Sequence, residues 1–134
     1  MILLDTHIWL WWLVGDGALS LSERTSLDNH ADRGQIAISW VSIWETEMLV
    51  RKGRVALLPD LETWVRKATN PRFCTIFPAD MDLVLAQTML PDTFHGDPAD
   101  RLIVTSALLA EVPLATYDSK IRAASIPDLQ IWKP

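Results

Sequence analysis

The chain carries two rhythms of apolar and polar positions. Short uninterrupted apolar runs (Ile2-Leu3-Leu4, Ile36-Ala37-Ile38, residues 72–77, and Leu114-Ala115-Thr116 after Pro113) read as buried strands. Between them, apolar residues recur at three- and four-residue spacing, which predicts helices. The first helix runs through Ile8, Trp12 and Leu13 to the break Gly15-Asp16-Gly17. The second starts from a Ser20 or Ser22 cap, passes Leu27 and stops at Gly34. Ser42 is expected to cap a helix over 43–52, closed by Gly53. Pro59-Asp60 opens a helix carrying Leu61, Trp64, Val65 and Ala68, which Asn70-Pro71 ends. Further helices are predicted over 80–90 and 98–111, the second with Asp97 as its N-cap and Pro98 in its first turn. A turn or short helix over 121–124 and an edge strand over 129–132 complete the pattern.

Continuously apolar strands separated by helices predict an α/β fold. Its core is a short parallel sheet of about five strands, covered by helices on both faces. The 134 residues suit one domain over 1–134. No apolar run approaches the ~20 residues of a membrane span, so no membrane partner is expected. The apolar opening lacks a basic start and contains Asp5 and His7, unlike a signal peptide. A single cysteine, Cys74, excludes an internal disulfide and reads as a small core residue, and a cytoplasmic location is expected.

Ligands in open parallel sheets bind beyond the carboxyl ends of the strands. Asp5 follows the first strand directly, and Asp118 follows the fourth by two residues. Either could simply cap the next helix. Asp97 and Asp100 open the helix at 98. Asp100 has Ile103, Val104 and Ala107 at helical spacing, so its carboxylate falls on an apolar face, where an unpaired charge is costly. Glu45 stands likewise among Val41, Met48 and Leu49. Nearby Glu47 has Ile43 and Val50 around it, and periodicity alone does not choose between the two acids.

Carboxylates gathered in one pocket repel, at about 4 kcal/mol per ionised pair for a separation of ~4 Å and an effective dielectric of about 20. A divalent cation removes that penalty, and an all-carboxylate set suits Mg²⁺ or Mn²⁺ better than Zn²⁺. The histidines show no zinc spacing: His7 reads as a helix-surface or capping residue, His30 as solvated, and His95 more as a loop residue than as a substrate contact. A carboxylate-held cation activates water and clamps phosphodiester oxygens, so hydrolysis of a nucleic-acid backbone is the natural reaction.

The net charge of −5 would disfavour a polyanionic partner, but its distribution alters that conclusion. Residues 51–72 carry Arg51, Lys52, Arg54, Arg66, Lys67 and Arg72 against Asp60 and Glu62, a local excess of +4 within an otherwise acidic chain. This segment is either a solvated helical face or a phosphate-facing rim.

Four motifs, in order along nearly the whole chain, resemble a PIN domain, and more narrowly a VapC-type toxin of bacterial toxin–antitoxin pairs. They are Leu3-Leu4-Asp5-Thr6-His7, the stretch Ser39-Trp40-Val41-Ser42-Ile43-Trp44-Glu45, His95-Gly96-Asp97-Pro98-Ala99-Asp100-Arg101-Leu102-Ile103, and Leu114-Ala115-Thr116-Tyr117-Asp118. The resemblance implies a Mg²⁺-dependent endoribonuclease, with Mn²⁺ as a substitute, acting on single-stranded or structured RNA. It implies Asp5, Glu45, Asp100 and Asp118 as catalytic, metal-holding acids, and so favours Glu45 over Glu47. Thr6 and Thr116 would be supporting hydroxyls, and Asp97 would orient the loop. Arg51, Lys52 and Arg54 are candidate contacts for RNA or an antitoxin. A homodimer and a protein antitoxin are the implied partners. At least half of Trp9, Trp11, Trp12, Trp40, Trp44 and Trp64 are expected in the core, the rest being available for such contacts. Two positions depart from the family pattern: Tyr117 precedes Asp118 and Gly96 precedes Asp97, where the family often carries basic residues.

Other functions fit less well. A phosphoacceptor signalling domain wants an acidic pair after the first strand and a Lys at a later strand end. An Asp-x-Asp phosphatase wants a second acid where Asp5-Thr6-His7 has none. A catalytically silent PIN-fold binding module would have no need to keep all four acids.

Overall fold

A computed structural model describes every residue of the chain except Asp16 and His95. Four strands, β1 (Ile2–Leu4), β2 (Ile36–Ser39), β3 (Cys74–Phe77) and β4 (Leu114–Ala115), form a parallel sheet in the order β3-β2-β1-β4. The expected fifth strand is a single bridge between Leu114 and Ile131. The bonds from Leu114 N–H to the Gln130 carbonyl and from Trp132 N–H to the Leu114 carbonyl complete it. With β4 only two residues long, the closing segment has little ladder to extend.

Among the described residues, seven helices connect or follow the strands: α1 (Thr6–Val14), α2 (Leu21–Asp32), α3 (Trp40–Arg51), α4 (Leu61–Ala68), α5 (Met81–Ala86), α6 (Pro98–Ala110) and α7 (Ser119–Ala123). Successive strand side chains point to opposite faces, and two cores follow from that alternation. Ile2, Leu4, Ile36, Ile38 and Ala115 pack with Ile8, Trp9, Leu10, Leu27 and Ala31 on one face. Leu3, Ala37 and Leu114 pack with Val41, Ile103, Val104, Ala107 and Ile121 on the other. Cys74 is buried in the first core, as expected, and burial pushes its thiol up to about 11. No helix among the described residues is long and apolar enough to cross a membrane.

Some boundaries differ from the expectation, and one open alternative is decided. α3 begins three residues earlier, because Ser39, not Ser42, is its N-cap and accepts from Val41 N–H at 3.1 Å. Ser39 also ends β2, so strand and helix join without a loop. The helix predicted over 80–90 is α5 followed by one 3₁₀ turn, Gln87–Met89. Ser20 caps α2 through a capping box with Glu23, which resolves the Ser20–Ser22 alternative.

Candidate active site

Asp5, Glu45, Asp97, Asp100 and Asp118 line one cleft of about 470 Å³ at the carboxyl ends of β1, β2 and β4. Each arrives by a short local route. Asp5 leaves β1 and caps α1, its Oδ1 accepting from Thr6 N–H at 2.8 Å. Asp118 caps α7, its Oδ1 accepting from Lys120 and Ile121 N–H at 2.9 and 3.1 Å. Asp97 caps α6 by accepting from Asp100 N–H at 2.8 Å. The capping and clustering uses of these acids therefore coexist.

Hydroxyls fix the carboxylates from behind. Thr116 Oγ1 donates to Asp5 Oδ2 at 2.6 Å and accepts from Asp118 N–H at 3.0 Å, tying the two strand ends together. Thr6 Oγ1 donates to Glu45 Oε1 at 2.5 Å and lies 2.9 Å from Ser42 Oγ. Asp5, Thr6, Ser42 and Thr116 are all buried. Glu47, by contrast, sits on the outer face of α3 and pairs with Arg51 at 2.9 Å, so of the two acids it is Glu45 that lines the cleft.

The crowding of acids shows in their proton affinity. Asp100 is pushed up to about 7, first by burial and then by Asp97, Asp118, Asp5 and Glu45. Burial also raises Glu45, against the lowering effect of its Thr6 hydrogen bond, and Asp5 and Asp97 add to the rise. Arg101 does not relieve Asp100. Its guanidinium turns to the carbonyls of Phe94 and Gln87 at 3.3 and 3.4 Å.

The cluster is thus short of positive charge. Its oxygen-only donors match a hard divalent cation, although among the described residues no three acids, histidines or cysteines already stand at metal-ligand spacing.

Of the candidate basic residues, Arg54 lines the cleft. A Schellman turn aims it there: Gly53, at φ +71°, donates to the Val50 carbonyl, and Arg54 N–H reaches the Leu49 carbonyl at 2.9 Å. Arg51 is engaged by Glu47, and Lys52 is exposed.

Sequence reasoning missed two neighbours of the site. His7 is half-buried, with Nδ1 3.6 Å from Asp5 Oδ2, while Tyr117 N–H donates to its Nε2 at 3.0 Å. That contact makes Nε2 the acceptor and leaves the proton on Nδ1, facing Asp5. Ser42, read as a cap, is instead the buried neighbour of Thr6; its spacing of three from Glu45 was the available signal. His30 is half-buried rather than solvated, with Nδ1 2.7 Å from the Ser26 carbonyl oxygen and its ring edge-on to Trp132. His95 lies outside the described residues.

The family model for the PIN domain matches residues 2–127. Ribonuclease VapC22 of Mycobacterium tuberculosis is 31% identical over 133 residues, covering 98% of both chains. The fold is similar to a chain in the crystal structure of VapBC2 from Rickettsia felis bound to a DNA fragment from their promoter. That match has a TM-score of 0.74 and 19% identity, again over 98% of each chain.

Proposed function

The chain belongs to the PIN domain family, and from that premise we propose that it is a Mg²⁺-dependent endoribonuclease, the toxin of a toxin–antitoxin pair. The observation that carries this reading is the convergence of five acids on one cleft, where burial, and then the neighbouring acids, lift Asp100 to about 7. A fold whose purpose was structural would gain nothing from that repulsion. The similarity to a protein named a ribonuclease supports the choice of substrate.

Asp5, Asp100, Asp118 and Glu45 are the residues that would hold Mg²⁺, with Mn²⁺ as a substitute. A bound ion would supply an activated water and a clamp on phosphodiester oxygens. The protein's own contribution is preorganisation. Thr116 keeps Asp5 and Asp118 in register, and Thr6 fixes one Glu45 oxygen. Asp97 orients the first turn of α6 and so aims Asp100. Arg54 gives the RNA backbone a positive contact on the wall of the cleft, and Arg51 and Lys52, exposed just before it in the chain, are further candidate contacts for RNA or an antitoxin.

An antitoxin and a second copy of the chain are the proposed protein partners. Trp40 and Trp44 are exposed, as are Met81, Val84 and Leu85 on α5. A separate apolar cleft of about 580 Å³ is lined by Trp9, Trp12, Trp64 and Phe73. Apolar surface of this extent suits macromolecular contact.

The test is cleavage of total RNA by purified protein with Mg²⁺, with EDTA, and with Asp100→Asn. Metal-dependent cutting at discrete sites, lost in the variant by at least about a hundredfold, is the expected result. Cutting that survives both EDTA and the substitution would refute the reading.

A further inference from the structure

An acidic cleft must still attract a polyanion, and the residue before Asp118 is Tyr117 rather than a base. The charge arrives from the next turn of the chain. Arg122 stands four residues after Asp118 in α7, hence on the same side of that helix. Its Nε donates to the Thr116 carbonyl at 3.0 Å, the residue whose hydroxyl holds Asp5. Its Cζ lies 5.0 Å from the centroid of the Tyr117 ring.

Tyr117 is itself fixed. Its hydroxyl donates to Glu23 Oε2, its N–H bonds His7 Nε2, and the Trp11 ring is 6.1 Å away. Trp11 and His7 both line the acidic cleft, so the Tyr117 support adjoins it.

Glu23 is near enough to Arg122 to interact electrostatically, yet its oxygens are committed, Oε1 to Ser20 N–H and Oε2 to the Tyr117 hydroxyl. The two Nη nitrogens of Arg122 have no hydrogen bond or ion pair among the described residues. The guanidinium is therefore anchored at Nε and stacked on a ring, with its outer fork open.

We propose that Arg122 is a phosphate-binding arm for the RNA strand, held beside the acidic cleft on the Tyr117 ring. The proposal rests on the ribonuclease reading and names the group that receives a backbone phosphate next to the reacting one. A planar fork with two open N–H edges matches phosphate oxygens, and a guanidinium already immobilised loses little freedom on binding.

The experiment uses the full chain carrying Asp100→Asn and a fluorescein-labelled single-stranded RNA of random sequence. Kd is measured by anisotropy over a range of salt concentrations. Arg122→Gln is expected to raise Kd about five- to tenfold and make the salt slope shallower by ~0.7, the contribution of one phosphate contact on a single strand. Arg122→Lys keeps the charge, so its slope stays near that of the parent while Kd rises less. Tyr117→Leu removes the platform and leaves the charge: Kd rises about two- to fivefold with the slope unchanged, a split that loss of folding would not produce. Thermal melts of each variant accompany the titrations. If native protein cuts RNA while Arg122→Gln binds with the parent Kd and slope, the arm is refuted and the ribonuclease reading stands. If native protein neither cuts nor binds RNA, both fall together.

Discussion

Asp100 sits in the first turn of α6, with Ile103, Val104 and Ala107 buried beneath it and four acids around it. Its carboxyl is raised from 3.8 to about 7 in the folded, metal-free chain. A raised acid binds its proton more tightly folded than unfolded, so its contribution to stability falls as pH climbs from about 4 to about 7. A shift of this size in a closed site would be worth ~4 kcal/mol, and partial exposure screens it to ~1–2 kcal/mol. Asp100→Asn, which carries no charge, should then melt a few degrees above EDTA-treated native protein at about pH 8. The two should coincide near about pH 5, where native Asp100 is itself protonated. Equal differences at both pH values would contradict the assigned electrostatics. Mg²⁺ should raise the native melting temperature at the higher pH and leave the variant less affected. The apolar surroundings of Asp100 were legible in the sequence, because helical spacing fixes which residues share its face. The hydroxyls that hold the site were not legible from spacing. Thr116 lies 111 residues from Asp5, and Thr6 lies 39 from Glu45, so only the assembled sheet brings them together.

At this site β1 runs into α1 across Asp5 alone and β2 runs into α3 with nothing between, and side chains pack the approach to α6. At Gly96, just before the α6 cap, an added Cβ would stand 2.4 Å from Cζ of the buried Phe94 ring and 3.1 Å from Asp100 Cβ. The absence of a basic side chain there thus has a steric reason. Gly96→Ala should cost ~1–3 kcal/mol through overpacking, read as a fall in denaturation midpoint, and should lower nuclease activity further by displacing Asp100. A variant as stable and active as the parent would show that Phe94 moves aside freely. The same compactness explains where boundary prediction failed. Ser39 ends β2 and caps α3 at once, whereas pattern reading leaves room for a connection and so moved the cap to Ser42. The helix over 80–90 tightens into a 3₁₀ turn where the Arg101 guanidinium takes the Gln87 carbonyl, a contact made from α6 and invisible locally. Helices set by their own caps, such as α4 behind Asp60 and α6 behind Asp97, fell where the sequence put them.

Across the whole molecule, the sheet is clad on both faces, and four of the five acids of the cleft leave its carboxyl edge or a helix mouth beside it, Glu45 coming from the second turn of α3. The apolar side chains that neither core absorbs are therefore informative. On α5, Leu83 is buried against α6 while Met81, Val84 and Leu85 are exposed at 73%, 50% and 60%. Three large apolar residues open to water on a six-residue helix are costly unless something covers them. A second copy of the chain is the proposed cover, because a two-fold contact lets one short helix meet itself and supply both halves of the interface. Leu85→Glu places two like charges across such a contact, one from each copy, and should convert a dimer to a monomer in sedimentation equilibrium without altering the melting curve of the subunit. Native protein that sediments as a monomer at high micromolar concentration would refute the dimer. A dimer that persists in the variant would move the interface elsewhere, with Trp40 and Trp44, exposed on α3, the next candidates. Since α6 carries both the packing surface for α5 and Asp100 at its other end, a covering partner would also steady the helix that aims this acid into the cleft.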